Sequence, residues 1–189
     1  MERNRRVRLM QPILNEQMVE AAVNALRKDR FLRGESVMRF EEEFAKYIGT
    51  KYALATNSGT SSLLLSLIAV GVKAGDYVIT TPATFIATAN AIVNIGAKPI
   101  FVDISLETYN VDPQKLEEMI KKYKDKVKAI VPVHLYGYPC EMDAISEIAE
   151  RYDVKVLEDA CQAHGALYEG KRVGSLETQE LFRSTRLRT

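Results

Sequence analysis

Three stretches of this chain carry residue types and spacings that can do chemistry together. In residues 154–165 the apolar run Val154-Lys155-Val156-Leu157 stops in two carboxylates, Glu158 and Asp159, and then passes through Ala160, Cys161, Gln162, Ala163 and His164 to Gly165. An α/β protein presents an acid in this way at the carboxyl end of a strand. The competing reading is an aspartate that caps the following turn. In Asn57-Ser58-Gly59-Thr60-Ser61-Ser62, backbone amides and hydroxyls converge at the start of a helical pattern. This reads either as an anion cradle or as a Ser/Thr-rich helix cap. A cradle here suits a phosphate that is held and not transferred, because neither a Walker lysine pattern nor a G-x-G-x-x-G spacing is present. In Thr81-Pro82-Ala83-Thr84-Phe85 the aromatic Phe85 stands just past an apolar run, as a core residue or as a flat stacking surface. Taken together, cradle, aromatic and acid describe one ligand, a phosphorylated aromatic heterocycle with a basic ring nitrogen. Asp159 would keep that nitrogen protonated, and Gln162 lies close enough to reach a ring substituent. Making such a ring an electron sink is the protein's part in pyridoxal phosphate chemistry. Cys161 reads as a small residue beside the site, since no base is paired with it in the sequence.

The elements that must position these residues are legible from periodicity. Two amphipathic helices are expected at 16–28 and 36–48, separated by a break at Gly34, the second closed by Gly49. From residue 52 apolar strands are expected at 52–56, 77–80, 99–104, 129–133 and 154–157. Helices are expected between them at 60–70, 85–95, 113–123 and 142–152, with Asp112-Pro113 as N-cap and first helical residue. Strand and helix in strict turn, with Val/Ile-rich strands, predict an α/β fold: a mostly parallel sheet covered by helices on both faces. Ligands bind such sheets beyond the carboxyl ends of the strands, which places residues 56–62, 81–85, 134–137 and 159–162 on one rim.

Composition is that of an ordinary globular chain. Of 189 residues 47% are hydrophobic and 27% charged, and the net charge of +1 gives no general attraction to nucleic acid or acidic membranes. The basic run Lys121-Lys122-Tyr123-Lys124-Asp125-Lys126 sits at a helix carboxyl end, where cations offset the dipole. Two cysteines, Cys140 and Cys161, form neither a disulfide framework nor a metal-ligand spacing, so no metal site is expected and a cytoplasmic location is. The basic start is followed by Gln11, Pro12, Asn15 and Glu16 where a signal peptide needs apolar residues, and the apolar runs 63–72 and 86–95 are too short to span a bilayer.

The motifs Asn57-Ser-Gly-Thr60, Thr81-Pro-Ala-Thr-Phe85, Pro132-Val-His-Leu-Tyr-Gly137, Glu158-Asp-Ala-Cys-Gln-Ala-His-Gly165 and Gly170-Lys-Arg-Val-Gly-Ser175 resemble, in order and spacing, those of the DegT/DnrJ/StrS family of sugar aminotransferases. The resemblance covers the chain through Leu176. It implies a type I aminotransferase large domain, here incomplete, in a homodimer. It also implies transfer of an amino group from an amino-acid donor, usually glutamate, to a keto sugar attached to a nucleotide. Carried onto this sequence, Ser58, Gly59 and Thr60 would hold the cofactor phosphate. Phe85 would stack on the ring, Asp159 would bind the pyridine nitrogen, and Gln162 would contact the ring hydroxyl. His134 and His164 match family positions and are read as structural or rim residues.

The resemblance breaks after Leu176. The family pattern continues through Gly-Asp and Phe-Ser-Phe to the lysine that forms the Schiff base, whereas this chain reads Glu-Thr-Gln-Glu-Leu-Phe-Arg-Ser-Thr-Arg-Leu-Arg-Thr over residues 177–189, without that catalytic lysine. A permitted DNA for Gly-Asp-Thr-Gly-Ala-Phe-Ser-Phe-Tyr-Pro-Thr-Lys-Asn-Met and an adenine, deprived of its first base, translates to all thirteen residues of 177–189 and then a stop. The expected organisation is therefore an amino-terminal helical arm over 1–50, a partial cofactor-binding domain over 51–176 and an out-of-frame tail over 177–189. Such a chain is expected to be inactive in transamination and to expose apolar edges. A lysine-free dehydratase and a non-catalytic small-molecule or partner-binding domain are the alternatives.

Overall fold

The computed structural model describes residues 13–176, so the expectation for 177–189 lies outside the described residues. The chain divides into two compact units after Arg39. In the first unit, helix α1 (Glu16–Lys28) begins where the Asn15 side chain accepts a hydrogen bond from the Met18 amide at 2.9 Å, and no residue of α1 is buried. Helix α2 (Glu35–Ile48) starts in the first unit under the Asp29 carboxylate, which accepts from the amides of Glu35 at 2.7 Å and Ser36 at 2.9 Å. Those amide donors, Ser36 foremost, pull the Asp29 carboxyl down to about 2. Gly34 admits this arrangement because a Cβ there would overlap the Asp29 carboxylate.

In the second unit, helix α3 (Gly59–Ala69) is followed by β1 (Tyr77–Thr80), α4 (Ala87–Asn94), β2 (Lys98–Phe101), α5 (Pro113–Tyr123), β3 (Val127–Val131), α6 (Met142–Tyr152) and β4 (Lys155–Val156). The four strands form one parallel sheet in the order β2-β1-β3-β4, the α/β architecture expected. Period-two alternation explains how both faces become covered. Val78 of β1 and Ala129 and Val131 of β3 pack with Leu63, Leu67, Ala91 and Ile92 of α3 and α4. Ile79 and Ile130, the intervening residues, pack with Leu116, Ile120, Met142 and Ile145 of α5 and α6. Leu67, Leu116 and Ile145 are wholly buried, and each contributes about 1.5–3 kcal/mol of apolar burial. Among the described residues no helix is long and apolar enough to cross a membrane.

A short hairpin, β5 (Leu167–Tyr168) and β6 (Lys171–Arg172), turns through Glu169 and Gly170, both at positive φ. This turn matches the twist of two-residue hairpins. The Arg172 guanidinium lies 4.0 Å from the Tyr47 ring centroid, tying the hairpin to the end of α2.

The strand expected over residues 52–56 does not form. Residues 52–56 lie outside the sheet, Tyr52 and Leu54 are exposed, and the Ala55 amide donates to Glu41 Oε1 at 2.8 Å. An apolar alternation becomes a strand only where a neighbouring strand accepts its hydrogen bonds, and here a side chain satisfies the amide instead. The observed β4 is also shorter than the expected 154–157; beyond it, pairing continues only as an isolated bridge between Val133 and Asp159.

Candidate active site

Four segments meet beyond the carboxyl ends of the strands. The bridge between Val133 and Asp159 brings the ends of β3 and β4 side by side, with the Asp159 amide donating to Pro132 O at 2.8 Å and the His134 amide to Asp159 O at 3.1 Å. Asp159 is buried. Its Oδ2 accepts from Thr88 Oγ1 at 2.8 Å and its Oδ1 from the Cys161 amide at 3.2 Å. Thr88 in turn lies 3.1 Å, hydroxyl to hydroxyl, from Thr84, in the bend that leads into α4. The Thr88 amide donates to Phe85 O at 3.1 Å, so one turn of chain carries both the residue that orients the acid and the candidate stacking ring. Phe85 itself is about half exposed (49%), a ring presented at the rim and not sealed in the core.

The candidate cradle lies near the loop that follows the acid. A Cβ on Gly59 would stand 3.1 Å from Cys161 Sγ, a tight contact, so the amino end of α3 lies close against the loop after Asp159. Ser58 is the N-cap: its Oγ accepts from the Ser61 amide at 3.1 Å and lies 3.0 Å from Ser61 Oγ. The Ser58 hydroxyl thus serves the helix, while the amides of Gly59 and Thr60 occupy the first turn, where N–H groups have no acceptor inside the helix and the dipole favours an anion. Gln162 faces the β3 loop, and its Oε1 accepts from the Tyr136 amide at 3.0 Å. That bond assigns the amide orientation and leaves Nε2 as the donor side of the group.

Beneath the rim lies a polar cluster built on Glu158. Buried Glu158 accepts through Oε2 from His134 at 3.1 Å and from the Gly174 amide at 2.6 Å, and through Oε1 from the Leu176 amide at 2.8 Å. His134 Nδ1 accepts from the Cys140 amide at 3.0 Å, so the ring carries its proton on Nε2. His134 is fully buried and both of its nitrogens are engaged. Cys140 donates its thiol to Val133 O at 3.2 Å, and burial pushes that thiol up to about 12.

The structure thus brings Gly59, Asp159 and Gln162 onto linked segments and sets Phe85 on the turn bonded to Thr88. Thr88 and the clamping role of Glu158 were not assigned from sequence. Thr88 stood in the sequence only as a polar interruption of an apolar run; its spacing of four from Thr84 was the available signal. Glu158 was visible as one of two adjacent carboxylates, but alternation sends it to the opposite side of the strand end from Asp159.

The family model for the DegT/DnrJ/EryC1/StrS aminotransferases matches residues 12–183. GDP-perosamine synthase of Caulobacter vibrioides is 48% identical over 143 residues, which are 76% of this chain and 38% of that protein. An aminotransferase from Psychrobacter cryohalolentis superposes with a TM-score of 0.81 at 41% identity over 86% of this chain and 41% of that one. NtdA from Bacillus subtilis, solved with bound cofactor PMP, superposes with a TM-score of 0.78 at 36% identity over 91% of this chain and 41% of that one. The chain spans about two-fifths of the length of the curated relatives it matches, 42% and 38% for two of them. With its motifs, its sheet and nearly its whole length in agreement, the chain belongs to the DegT/DnrJ/EryC1/StrS aminotransferase family.

Proposed function

We propose that the chain is the cofactor-binding part of a pyridoxal-phosphate-dependent aminotransferase of nucleotide-linked keto sugars, with an amino acid, glutamate by family resemblance, as amino donor. The observation that carries this reading is the buried Asp159 carboxylate, held by Thr88 Oγ1 at 2.8 Å and the Cys161 amide at 3.2 Å, on a loop that lies close against the helix amino end at Gly59. The residues present fit the cofactor. Asp159 would hold the protonated ring nitrogen, the amides of Gly59 and Thr60 the phosphate, Phe85 one ring face, and Gln162 Nε2 the ring hydroxyl. Ser58 would act by capping the helix whose end does the binding. Bound there, pyridoxal phosphate supplies the electron sink for breaking and making bonds at an amine carbon. Thr88 and the Cys161 amide fix the direction of the Asp159 carboxylate before anything binds, so little reorganisation is needed when a cation meets it.

Titration with pyridoxamine phosphate, which lacks the aldehyde that reacts with surface lysines, tests the reading. Binding near one equivalent, weakened at least tenfold by Asp159→Asn, is expected; an unchanged affinity in the variant refutes it.

In the whole protein we place the site in a homodimer in the cytoplasm. The helical arm 1–50, the domain 51–176 and an out-of-frame tail 177–189 remain our division of the sequence, although the family match runs seven residues past Leu176. On that division the Schiff-base lysine is absent and this chain is inactive in transamination. A DNA read across codon 177 decides the point: a long open frame after one restored base supports it, and a frame that closes at once refutes it.

A further inference from the structure

The loop after β3 holds a residue that neither the sheet nor the cofactor contacts explain. Tyr136 is 81% exposed and adopts a left-handed backbone, φ 50° and ψ 25°, which side chains other than Gly, Asn and Asp seldom take. Its neighbour Gly137 is also at positive φ, 91°. An exposed residue in such a conformation is commonly found in a loose turn, yet this backbone is held at nearly every position. The His134 amide donates to Asp159 O at 3.1 Å, and the Tyr138 amide to Leu135 O at 3.0 Å. Buried Asn110 takes the Leu135 amide at 3.1 Å and gives its own NH2 to Tyr138 O at 2.9 Å. The Tyr136 amide goes to Gln162 Oε1 at 3.0 Å. A fixed backbone thus carries an uncovered aromatic ring, and its amide is bonded to the side chain read above as the donor to the cofactor's ring hydroxyl. Backbone strain that the surroundings over-determine concentrates at ligand-binding positions.

We propose that Tyr136 is a substrate-binding residue, its ring the platform against which the C–H face of the hexose in a nucleotide-linked sugar packs. The proposal rests on the cofactor reading. The ring hydroxyl that Gln162 would contact stands on the pyridine carbon next to the one that bears the aminomethyl group, so a residue bonded to Gln162 lies near the end of the cofactor where the sugar reacts. Sugars offer few groups to an apolar site beyond their axial C–H faces, and an aromatic face, with its negative quadrupole, is the matching surface. The phenol oxygen has no part in such packing, so Phe should replace Tyr136 without loss and Ala or Gly should not.

The test uses the full chain loaded with pyridoxamine phosphate, with GDP-mannose as probe and saturation-transfer-difference NMR as readout. The hexose protons should receive saturation from the protein. Tyr136→Phe should keep that transfer, and Tyr136→Ala should lose at least half of it relative to the guanine proton, with pyridoxamine phosphate affinity unchanged. Tyr136→Gly suits the left-handed backbone and guards against misfolding; it should behave as Ala does. Equal transfer in all variants, or no transfer to the hexose in the unsubstituted chain, overturns the assignment of Tyr136 while leaving the cofactor reading intact. Failure of pyridoxamine phosphate to bind overturns both.

Discussion

Replacing Glu158 with glutamine tests whether this carboxylate is the clamp that holds residues 174–176 against the ends of β3 and β4. Among the described residues three donors converge on it: His134 Nε2 at 3.1 Å, the Gly174 amide at 2.6 Å and the Leu176 amide at 2.8 Å. Glutamine has one oxygen. If that oxygen keeps His134 and Gly174, the new NH2 faces the Leu176 amide; in the other orientation it faces two donors. His134 cannot relieve the conflict by moving its proton, because Nδ1 already accepts from the Cys140 amide. A hydrogen bond to a charged group is worth about 1.5–3 kcal/mol and a neutral one about 0.5–1.5 kcal/mol, so losing one and weakening two comes to roughly 3 kcal/mol. Partial exposure of Gly174 and Leu176 lets water take up some of this, leaving about 2 kcal/mol. With a urea m-value of about 2 kcal/mol/M, the unfolding midpoint should fall by roughly 1 M. Local opening should show it too: 2 kcal/mol corresponds to amide exchange at Gly174 and Leu176 faster by roughly 30-fold. An unchanged midpoint with unchanged exchange at both amides would refute the clamp.

Further outcomes are expected. Thr88→Val keeps the shape of the side chain but removes the hydroxyl that donates to Asp159 Oδ2 at 2.8 Å; pyridoxamine phosphate should bind roughly 3–10-fold more weakly by calorimetry, and the unfolding midpoint should fall as well, because a buried carboxylate loses a donor. Gly59→Ala sets a Cβ 3.1 Å from Cys161 Sγ and should weaken pyridoxamine phosphate binding, and adding Cys161→Ala should restore much of it in a double-mutant cycle. A thiol reagent at pH 8 should modify Cys161 readily and Cys140 only after denaturant, since burial holds the Cys140 thiol protonated until about 12. Asp29 has a folded value of about 2 against 3.8 unfolded, so its capping of α2 stabilises fully above about pH 4 and is lost as pH falls through 2. The amide shifts of Glu35 and Ser36 should report that loss in an NMR titration, with a midpoint near 2.

The sequence disclosed the elements whose signal is local. Asp112-Pro113 marked the start of α5, and the spacing of Val37, Phe40, Phe44 and Ile48 marked α2, because caps and helical periodicity are set by neighbours in the chain. The parallel sheet followed from strand and helix in alternation. Residues 52–56 carry the same alternation as a strand, but whether they pair depends on a partner elsewhere, and periodicity cannot report that. In the site, Asp159 was legible from the strand-end acid pattern and Gly59 from its place before a helix. Thr88 was not, because its importance lies in meeting a carboxylate 71 residues away. Tyr136 looked like one more letter of a motif; its left-handed backbone and its bond to Gln162 are facts of three-dimensional placement alone.

The central claim is that Asp159 is placed to keep a pyridine nitrogen protonated, and the most direct measurement is the 15N shift of the ring nitrogen in labelled pyridoxamine phosphate bound to the full chain. The account predicts the protonated pyridinium shift with Asp159 present, held to a higher pH than for the free cofactor, and the neutral shift in Asp159→Asn. A neutral shift in the unsubstituted chain at pH 7, or the same shift in both proteins, would contradict it.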